Sequence, residues 1–356
     1  MIQKYKSLPE YKNHERVVEL NDSASGLKGF IAIHSTKLGP ALGGTRIYPY
    51  KNKQLALKDV LRLSNAMTYK CAIAGLPFGG GKGVIIANPT DKNILKILKS
   101  YAKAVDKLNG IFHTGEDVGL SEKQVQYMLK FSSNFIGRSH LAGDPSPFAG
   151  ESAFLCARVA WKYLTGSDNL SGKIVAIKGV GKTGGALVKH FIKSGAKVFV
   201  SDINDKAVKS LLKKFTSVKA LSLTKLMDIK SDIYCPCAMG HDINKTSIKK
   251  IKAKLIVGTA NNQLENIQIA ERLRQKGILH IPDYVANAGG LIDVADELLP
   301  GGYKLKRVNT NIKKLQATLL DILKSAEKAH KNTDVVANEK AEKIFMNKKI
   351  YGNQPR

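Results

Sequence analysis

The sequence predicts an α/β protein of two domains, an N-terminal α/β domain and a second domain organised around a parallel βαβ unit. Three observations carry this. At 356 residues the chain is longer than one hydrophobic core usually serves, so two domains are the natural expectation. Strand-like and helical stretches alternate along it. Near its middle, a strand, a G-x-G-x-x-G turn and an amphipathic helix follow one another directly.

In chain order, "GLKGFIAIHST" reads as a strand and Leu55 to Met67 as a helix. "GKGVIIAN" is a second strand, a helix starts at Asp91, and "GIFHTGEDVG" is a third strand with its loop. A helical hairpin-like connection is expected around "RSHLAGDPSPFAGESAF". The βαβ unit follows, and then strands in "SDIYCPCA", "AKLIVGTA" and "GILHIPDYVANAGG". Each ends in small or polar residues, as parallel strands do where a ligand sits at their carboxyl ends. After Gly302 two Lys-rich amphipathic helices are expected, at about 307–331 and 334–348. No internal repeat or low-complexity linker is visible.

The segment "VAIKGVGKTGGALVKHF" admits two readings. Gly181-Lys182-Thr183 looks like the end of a triphosphate-binding P-loop. That motif needs a glycine five residues earlier, where Ala176 lies inside the apolar strand Ile174-Val175-Ala176-Ile177. Gly179, Gly181 and Gly184 instead form the turn that brings a dinucleotide's pyrophosphate to a helix N-terminus. Leu187, Val188, Phe191 and Ile192 continue at helical spacing to Gly195. The next strand, Ala196 to Val200, leads to Asp202, 18 residues past Gly184, where a ribose 2′-hydroxyl needs an acceptor. The turn therefore predicts a dinucleotide and not a triphosphate.

Composition narrows the function classes. The hydrophobic share is 43%, that of a globular chain, and no apolar run approaches the length of a membrane span. The start, "MIQKYKSLPEYKNHERVV", has no apolar leader segment, so a cytoplasmic protein without a membrane association is expected. Cys71, Cys156, Cys235 and Cys237 are too few for a disulfide scaffold. Cys235-Pro236-Cys237 lacks a second Cys/His pair at zinc-ligand spacing, so free thiols and no metal are expected. The net charge of +28 comes from lysines spread along the chain, as in "DKNILKILKSYAKAVDKLNG". That distribution predicts salt-sensitive adhesion to polyanions and no specific nucleic-acid site.

Two lysines stand out in "MTYKCAIAGLPFGGGKGVII". Lys82 lies between three glycines and a fourth, a density that lets backbone approach a ligand or a lid. Among small apolar residues and near other cations it is expected to have a lowered pKa and to act as a base, with an anion-binding loop as the plainer alternative. Lys70 stands 12 residues earlier, at the end of a helical pattern. In "HTGEDVGLS", Glu116 and Asp117 follow a strand, and Asp117 reads equally as a reactive carboxylate or a helix N-cap. Asn287 in "VANAGGLIDVADEL" reads equally as a ligand contact or a turn former.

Taken together, "GPALGGTRIYPY", "MTYKCAIAGLPFGGGKGVII", "TGEDVG", "GDPSP", "GVGKTG", "SDIN", "PCAMG" and "PDYVANAGGLIDVADEL" resemble the Glu/Leu/Phe/Val dehydrogenase family, over nearly the whole chain and nearest its leucine/phenylalanine branch. The resemblance implies a substrate domain at residues 1–143, with C-terminal helices 331–356 packing back on it. A Rossmann domain at 144–330 and an active site in the cleft between the two are also implied. It implies reversible oxidative deamination, in which an L-amino acid, NAD⁺ and water give a 2-oxo acid, ammonia and NADH. A homo-oligomer, dimer or octamer, is implied too.

Carried over by residue, the resemblance makes Lys82 the base that activates water and Asp117 the carrier of protons to and from the amino group. Lys70 would pair with the substrate carboxylate, and Gly43 and Asn287 would help hold the substrate. Leu42, Gly115, Leu291 and Val294 would line the side-chain pocket. Val294 offers no partner to a second carboxylate, while Gly115 and Leu291 match the phenylalanine enzymes. A large apolar substrate is implied, phenylalanine-like or leucine-like. Gly179, Val180, Gly181, Lys182, Thr183, Gly184, Gly185, Asp202, Ile203, Ala238 and Asn261 would bind NAD. Two positions depart from the pattern. Ala149 stands where the family has a threonine that fixes the nicotinamide amide, and Lys182-Thr183 is unusual after Gly181. Ala149 motivates the alternative of a binding protein with little turnover, and the charge motivates that of a polyanion-binding protein.

Overall fold

The computed structural model describes residues 5–238 and 240–347. They form two units, one of residues 5–144, 294–304 and 341–347, the other of 145–293 and 305–340.

The first unit contains β1 (Arg16–Asp22), β2 (Leu27–Ser35), β3 (Ala41–Leu42), β4 (Thr45–Tyr48), α1 (Lys53–Ile73), β5 (Gly79–Ile86), α2 (Ile94–Asp106), β6 (Phe112–His113) and α3 (Glu122–Met128). The sheet order is β1-β2-β5-β3-β6, with β4 also paired to β5. β1 and β2 form an antiparallel hairpin around Gly26, at φ +80°. β2 is antiparallel to β5, and β3 and β4 are parallel to it. Because side chains alternate along a strand, β2 serves two cores. Phe30 and Ala32 join Leu57, Val60 and Leu61 of α1 on one face, and Ile31 and Ile33 join Leu98, Tyr101 and Val105 of α2 on the other. The unit is thus a sheet between helical layers. α1 starts where the Asn52 side chain accepts from Leu55 N, and α3 where Ser121 and Gln124 form a capping box.

The glycines of β5 are required by close packing. A Cβ on Gly79 would stand 1.8 Å from the Ser35 carbonyl, and one on Gly80 2.2 Å from the backbone N of Thr68 in α1. On Gly81 it would meet the Phe112 ring at 2.7 Å, and on Gly83 the Tyr101 hydroxyl at 1.9 Å. The expectation that these glycines admit a ligand is corrected: they admit the protein's own neighbouring backbone and rings.

The second unit holds α4 (Ser146–Thr165), β7 (Ile174–Lys178), α5 (Lys182–Lys193), β8 (Lys197–Ser201), α6 (Asp205–Lys214), β9 (Lys219–Ala220), α7 (Leu223–Asp228), β10 (Ile233–Pro236), α8 (Ser247–Lys250), β11 (Leu255–Ile256), α9 (Ile267–Gln275), β12 (Leu279–His280) and α10 (Asp283–Ala286). α11 (Ala288–Ala295), α12 (Leu305–Lys328) and α13 (Thr333–Met346) complete the described chain. The six strands are all parallel, in the order β12-β11-β10-β7-β8-β9. This is the doubly wound arrangement, whose switch point lies between β7 and β10.

Several boundaries differ from expectation. The connection at 138–154 is no helical hairpin: a non-helical stretch containing Gly143, at φ +65°, leads to Pro145, and one continuous helix follows. Pro147 fits in that helix's first turn, where no amide hydrogen is needed. The helix expected from Asp91 begins at Ile94, and the last two helices run at 305–328 and 333–346. Residue 348, the expected end of the last helix, lies outside the described residues.

Two measurements probe this packing. The Gly83 Cβ position is filled by a buried hydroxyl chain, Tyr101 to Thr45 at 2.6 Å and Thr45 to Thr114 at 2.7 Å. Gly83→Ala is therefore expected to destabilise by about 2–4 kcal/mol in urea denaturation. An unchanged midpoint would show that the chain yields there. The second concerns His14 and His34, both buried, with rings 4.9 Å apart edge to face. Burial lowers the pKa of His14 to about 4, against a rise from the Leu61 carbonyl. Burial and the neighbouring His14 lower that of His34 to about 3. The unfolded chain takes up these protons near pH 6.5 and the folded chain only at 3–4. Their stabilisation is complete above 6.5 and is lost as pH falls from there toward 3–4. The expected loss is about 2 kcal/mol for each at pH 5, and melting curves of equal midpoint at pH 7.5 and pH 5 would contradict it.

Candidate active site

β3 and β4 are one path along β5 interrupted at Gly43–Gly44. Leu42 pairs with Gly80 and Thr45 with Gly83, so the break lies opposite Gly81 and Lys82. A Cβ on Gly43 would stand 2.0 Å from the Gly81 carbonyl and one on Gly44 2.4 Å from the Glu116 carbonyl. Gly43 N donates to His113 O, and Thr45 N to Gly115 O. The missing side chain at Gly44 lets the Glu116–Asp117 segment close against the sheet. That closure brings the two reactive candidates together: Lys82 Nζ donates to Asp117 Oδ1 at 2.8 Å, with side chains 6% and 14% exposed.

Asp117 is therefore no helix cap. Ser121 holds that position for α3. Its other oxygen, Oδ2, accepts from Arg46 Nε at 2.9 Å. Burial pushes the Asp117 carboxyl up, but the Lys82 ammonium and the Arg46 guanidinium outweigh burial and hold it at about 2, so it is an anion at neutral pH. The environment expected of Lys82, small apolar groups and cations, is replaced by a direct carboxylate partner. Arg46 escaped assignment although it lies in the quoted stretch "GGTRIYPY", and no sequence signal marked its second partner, Asp59.

Lys70 lies in the last turn of α1, the helix packed on β5, and is half-buried. Leu42 is fully buried on β3. Gly115 follows β6, and a Cβ there would meet the Ile136 carbonyl at 2.8 Å. Its missing methyl is thus demanded by the Ile136 backbone. Val294 is half-buried in the first unit, while Asn287 and Leu291 belong to the second.

The dinucleotide candidates gather at the second unit's switch point. Gly179 follows β7 at φ +97°, and a Cβ on it would stand 2.7 Å from Ala238 N, after β10. Gly184 packs so closely that its Cβ would lie 2.1 Å from the Gly179 carbonyl, whereas the Cβ position of Gly181 is open. Lys182, Thr183, Gly184 and Gly185 form the first turn of α5: Gly185 N donates to the Gly181 carbonyl at 2.8 Å, whereas Thr183 and Gly184 precede the first intrahelical bond and point their amides out of the helix N-terminus. Asp202 ends β8. Its Oδ2 accepts from Val180 N at 2.7 Å and its Oδ1 from Asn204 N at 2.8 Å, which fixes it beside the glycine turn. Ile203 beside it is 96% exposed and offers an apolar surface next to the glycine turn. The residues present therefore fit a dinucleotide.

Asn287 is 3% exposed. Its Nδ2 donates to Thr259 O at 3.1 Å and to Asn261 Oδ1 at 2.8 Å, while its Oδ1 is buried without a partner. Both amide hydrogens being committed, the free acceptor is fixed as oxygen, a fit for an ammonium or amide donor. Ala149 is buried in the first turn of α4 and supplies no hydroxyl. A hydroxyl pair sequence reasoning did not anticipate, Thr183 to Thr259 at 3.0 Å, stands at the start of α5. The four cysteines are free. Burial raises the Cys237 thiol to about 11 and that of Cys235 well above its ordinary value, so neither is a thiolate nucleophile. Among the described residues no cluster of His, Cys, Asp and Glu could hold a metal, and no helix is long and apolar enough to cross a membrane.

Residues 13–134 match the family model described as Glu/Leu/Phe/Val dehydrogenase, dimerisation domain. Residues 199–351 match Glutamate/Leucine/Phenylalanine/Valine dehydrogenase. The chain is 43% identical to phenylalanine dehydrogenase of Lysinibacillus sphaericus, over 97% of this chain and 90% of that one. It is 38% identical to leucine dehydrogenase of Bacillus cereus, over 94% and 91%. The crystal structure of L-tryptophan dehydrogenase from Nostoc punctiforme superposes with a TM-score of 0.80 at 38% identity, covering 94% of this chain and 96% of that one. With the paired Lys82 and Asp117 on one unit and a doubly wound nucleotide fold on the other, the chain belongs to the Glu/Leu/Phe/Val dehydrogenase family. It is an oxidoreductase that deaminates an amino acid at its CH–NH₂ group with a nicotinamide cofactor.

Proposed function

We propose that this enzyme uses NAD and prefers a large apolar L-amino acid, phenylalanine modestly ahead of leucine. The carrying observation is the buried contact between Lys82 Nζ and Asp117 Oδ1 beside the Gly43–Gly44 break, a base and a proton carrier held in hydrogen-bond reach. Lys70 takes the substrate carboxylate, and the unpartnered Asn287 Oδ1 accepts from its amino group. Asp117 accepts a proton from that group, leaving the nitrogen lone pair free to form the imine as hydrogen leaves Cα. The nicotinamide, when bound, supplies the two-electron acceptor for that hydrogen. Lys82, its ammonium proton given up to solvent, takes a proton from water as the water oxygen adds to the imine carbon. Asp117 then returns a proton to the nitrogen, and as the C–N bond breaks and ammonia departs the remaining hydroxyl proton leaves to solvent and the C=O bond forms. Two protons pass to solvent for each ammonia released and are taken up again in the reverse sequence, so the same pair serves amination.

NAD is favoured over NADP because Asp202 accepts from a ribose 2′-hydroxyl and repels a 2′-phosphate. Lys206 and Lys209 on α6 oppose that discrimination in part. The resemblance assigns Leu42, Leu291 and Val294 to the substrate side chain; being apolar, they would leave a second carboxylate unpaired, which disfavours glutamate. Gly115 supports the aromatic preference only through its match to phenylalanine enzymes, since the Ile136 carbonyl already demands a glycine there. The family model's dimerisation domain supports a homo-oligomer, dimer or octamer, and a cytoplasmic setting suits free thiols and a diffusible cofactor.

The deciding measurement is kcat/KM for phenylalanine, tryptophan, leucine, valine and glutamate with NAD and with NADP, followed by nicotinamide absorbance. Phenylalanine is expected first and leucine accepted, since a methylene is worth about 1–3 kcal/mol in such a pocket. NAD is expected ahead by about tenfold or more. A preference for leucine or valine would refute the aromatic reading, and equal use of the two cofactors the role of Asp202. Separately, Lys82→Ala is expected to lower kcat by about a hundredfold or more while NADH binding holds. Turnover near that of the wild type would remove Lys82 from the chemistry.

A further inference from the structure

Asp117 is the end of an alternating chain of charges that the mechanism does not use. Arg46 on β4 reaches two carboxylates at once, donating from Nε to Asp117 Oδ2 at 2.9 Å and from Nη1 to Asp59 Oδ2 at 2.8 Å. Asp59 on α1 is itself held from two further directions, by the Tyr50 hydroxyl at 2.5 Å and by Arg62 Nη2 at 2.8 Å. Arg46, Asp59 and Asp117 have side chains only 18%, 14% and 14% exposed, so water screens these contacts little.

We propose that Arg46, braced by Asp59, is a positioning residue for the reaction, fixing the Asp117 carboxylate so that its Oδ1 faces Lys82. The inference rests on the reading of Asp117 as proton carrier. Three features support it beyond simple charge balance. Both Asp117 oxygens are occupied, one by Lys82 and one by Arg46, so the carboxylate cannot rotate without breaking a charged hydrogen bond. The planar guanidinium spans two carboxylates with separate nitrogens, which one lysine ammonium cannot reproduce. The brace also comes from a different element: α1 supplies Asp59 and Arg62, and β4 supplies Arg46. The groups facing Asp117 are Lys82 from β5 and Arg46 from β4. Burial pushes its carboxyl up and these two cations outweigh it, so losing one leaves an acid that protonates more readily.

The test compares Arg46→Gln, Arg46→Lys and Asp117→Asn in the full-length enzyme, assaying phenylalanine with NAD across pH. Arg46→Gln is expected to lower kcat by about tenfold or more with the KM for NAD unchanged, and to move the acid limb of kcat/KM to higher pH. Arg46→Lys keeps the charge without the fork. Its acid limb should stay near the wild-type position while kcat remains reduced, about threefold or more, which also serves if the glutamine variant does not fold. A wild-type kcat in Arg46→Lys together with a wild-type acid limb in Arg46→Gln would overturn the proposal, as would a lower kcat in Arg46→Gln with the limb unmoved. Asp117→Asn separates the two readings. If it retains turnover, the proton-carrier role itself is wrong. If it abolishes turnover while both Arg46 variants behave as wild type, only the positioning role fails.

Discussion

A lysine ammonium buried in the middle of a sheet is tolerated only beside a counter-charge, and in this chain that counter-charge is carried by a loop and not by a strand. The loop reaches Lys82 because backbone replaces side chains around it. Gly44 leaves room for Glu116 and Asp117, Gly43 for the Gly81 carbonyl, Gly79 for the Ser35 carbonyl, and Gly80, Gly81 and Gly83 for α1, Phe112 and Tyr101. The strand that presents Lys82 is thus packed more tightly than any alternation of ordinary side chains permits. The cost is borne by the two apolar cores on either face of the sheet, through Phe30 and Val84 on one side and Ile31 and Ile85 on the other. Fixing the pair so firmly suits acid–base chemistry, which loses rate steeply when a proton must travel a fraction of an ångström further.

The nucleotide unit uses glycine for the same reason at a different place. Gly179 and Gly184 let the end of β7, the start of α5 and the residue after β10 meet at the switch point, and Asp202 then clamps Val180 by accepting its amide. A carboxylate oxygen accepts more than one hydrogen bond, so the clamp and a ribose contact are compatible. Beyond the clamp, the polar chain from Thr183 through Thr259 to Asn287 commits both Asn287 amide hydrogens and leaves its oxygen as the one open acceptor of that side chain.

Much of this was legible in the sequence for a physical reason. A βαβ unit leaves a local record, because its strand, turn and helix are contiguous and each obeys its own period. The G-x-G-x-x-G turn, Asp202 and the α5 stripe of Leu187, Val188 and Phe191 were therefore readable in place. The reactive candidates were legible through resemblance, and their mutual contact was not, since Lys82 and Asp117 are 35 residues apart. Arg46 and Asp59 were invisible because a salt bridge between a strand and a helix has no spacing rule. The β3–β4 interruption was missed because two residues of strand carry no alternation. The helical hairpin expected at 138–154 failed because Gly143, in the left-handed region, and Pro145 keep the chain non-helical until Ser146.

The distribution of charge ties the site to the rest of the molecule. The chain has 57 basic and 29 acidic residues, yet among the described residues Lys82 is the one buried lysine, whereas Asp242, Asp293, Asp296 and Asp334 are all buried. Asp117 and Asp59 are nearly so. Carboxylates are spent inside, on ion pairs and helix starts, and the exterior is left more basic than the composition alone suggests. In the proposed reaction both ligands carry anionic groups, the amino acid its carboxylate and the dinucleotide its pyrophosphate. A surface field of this sign draws them inward over about one Debye length, roughly 8 Å at physiological salt, and does nothing to distinguish one side chain from another. In the proposed function, selectivity therefore falls to the apolar candidates Leu42, Leu291 and Val294 and not to the charge.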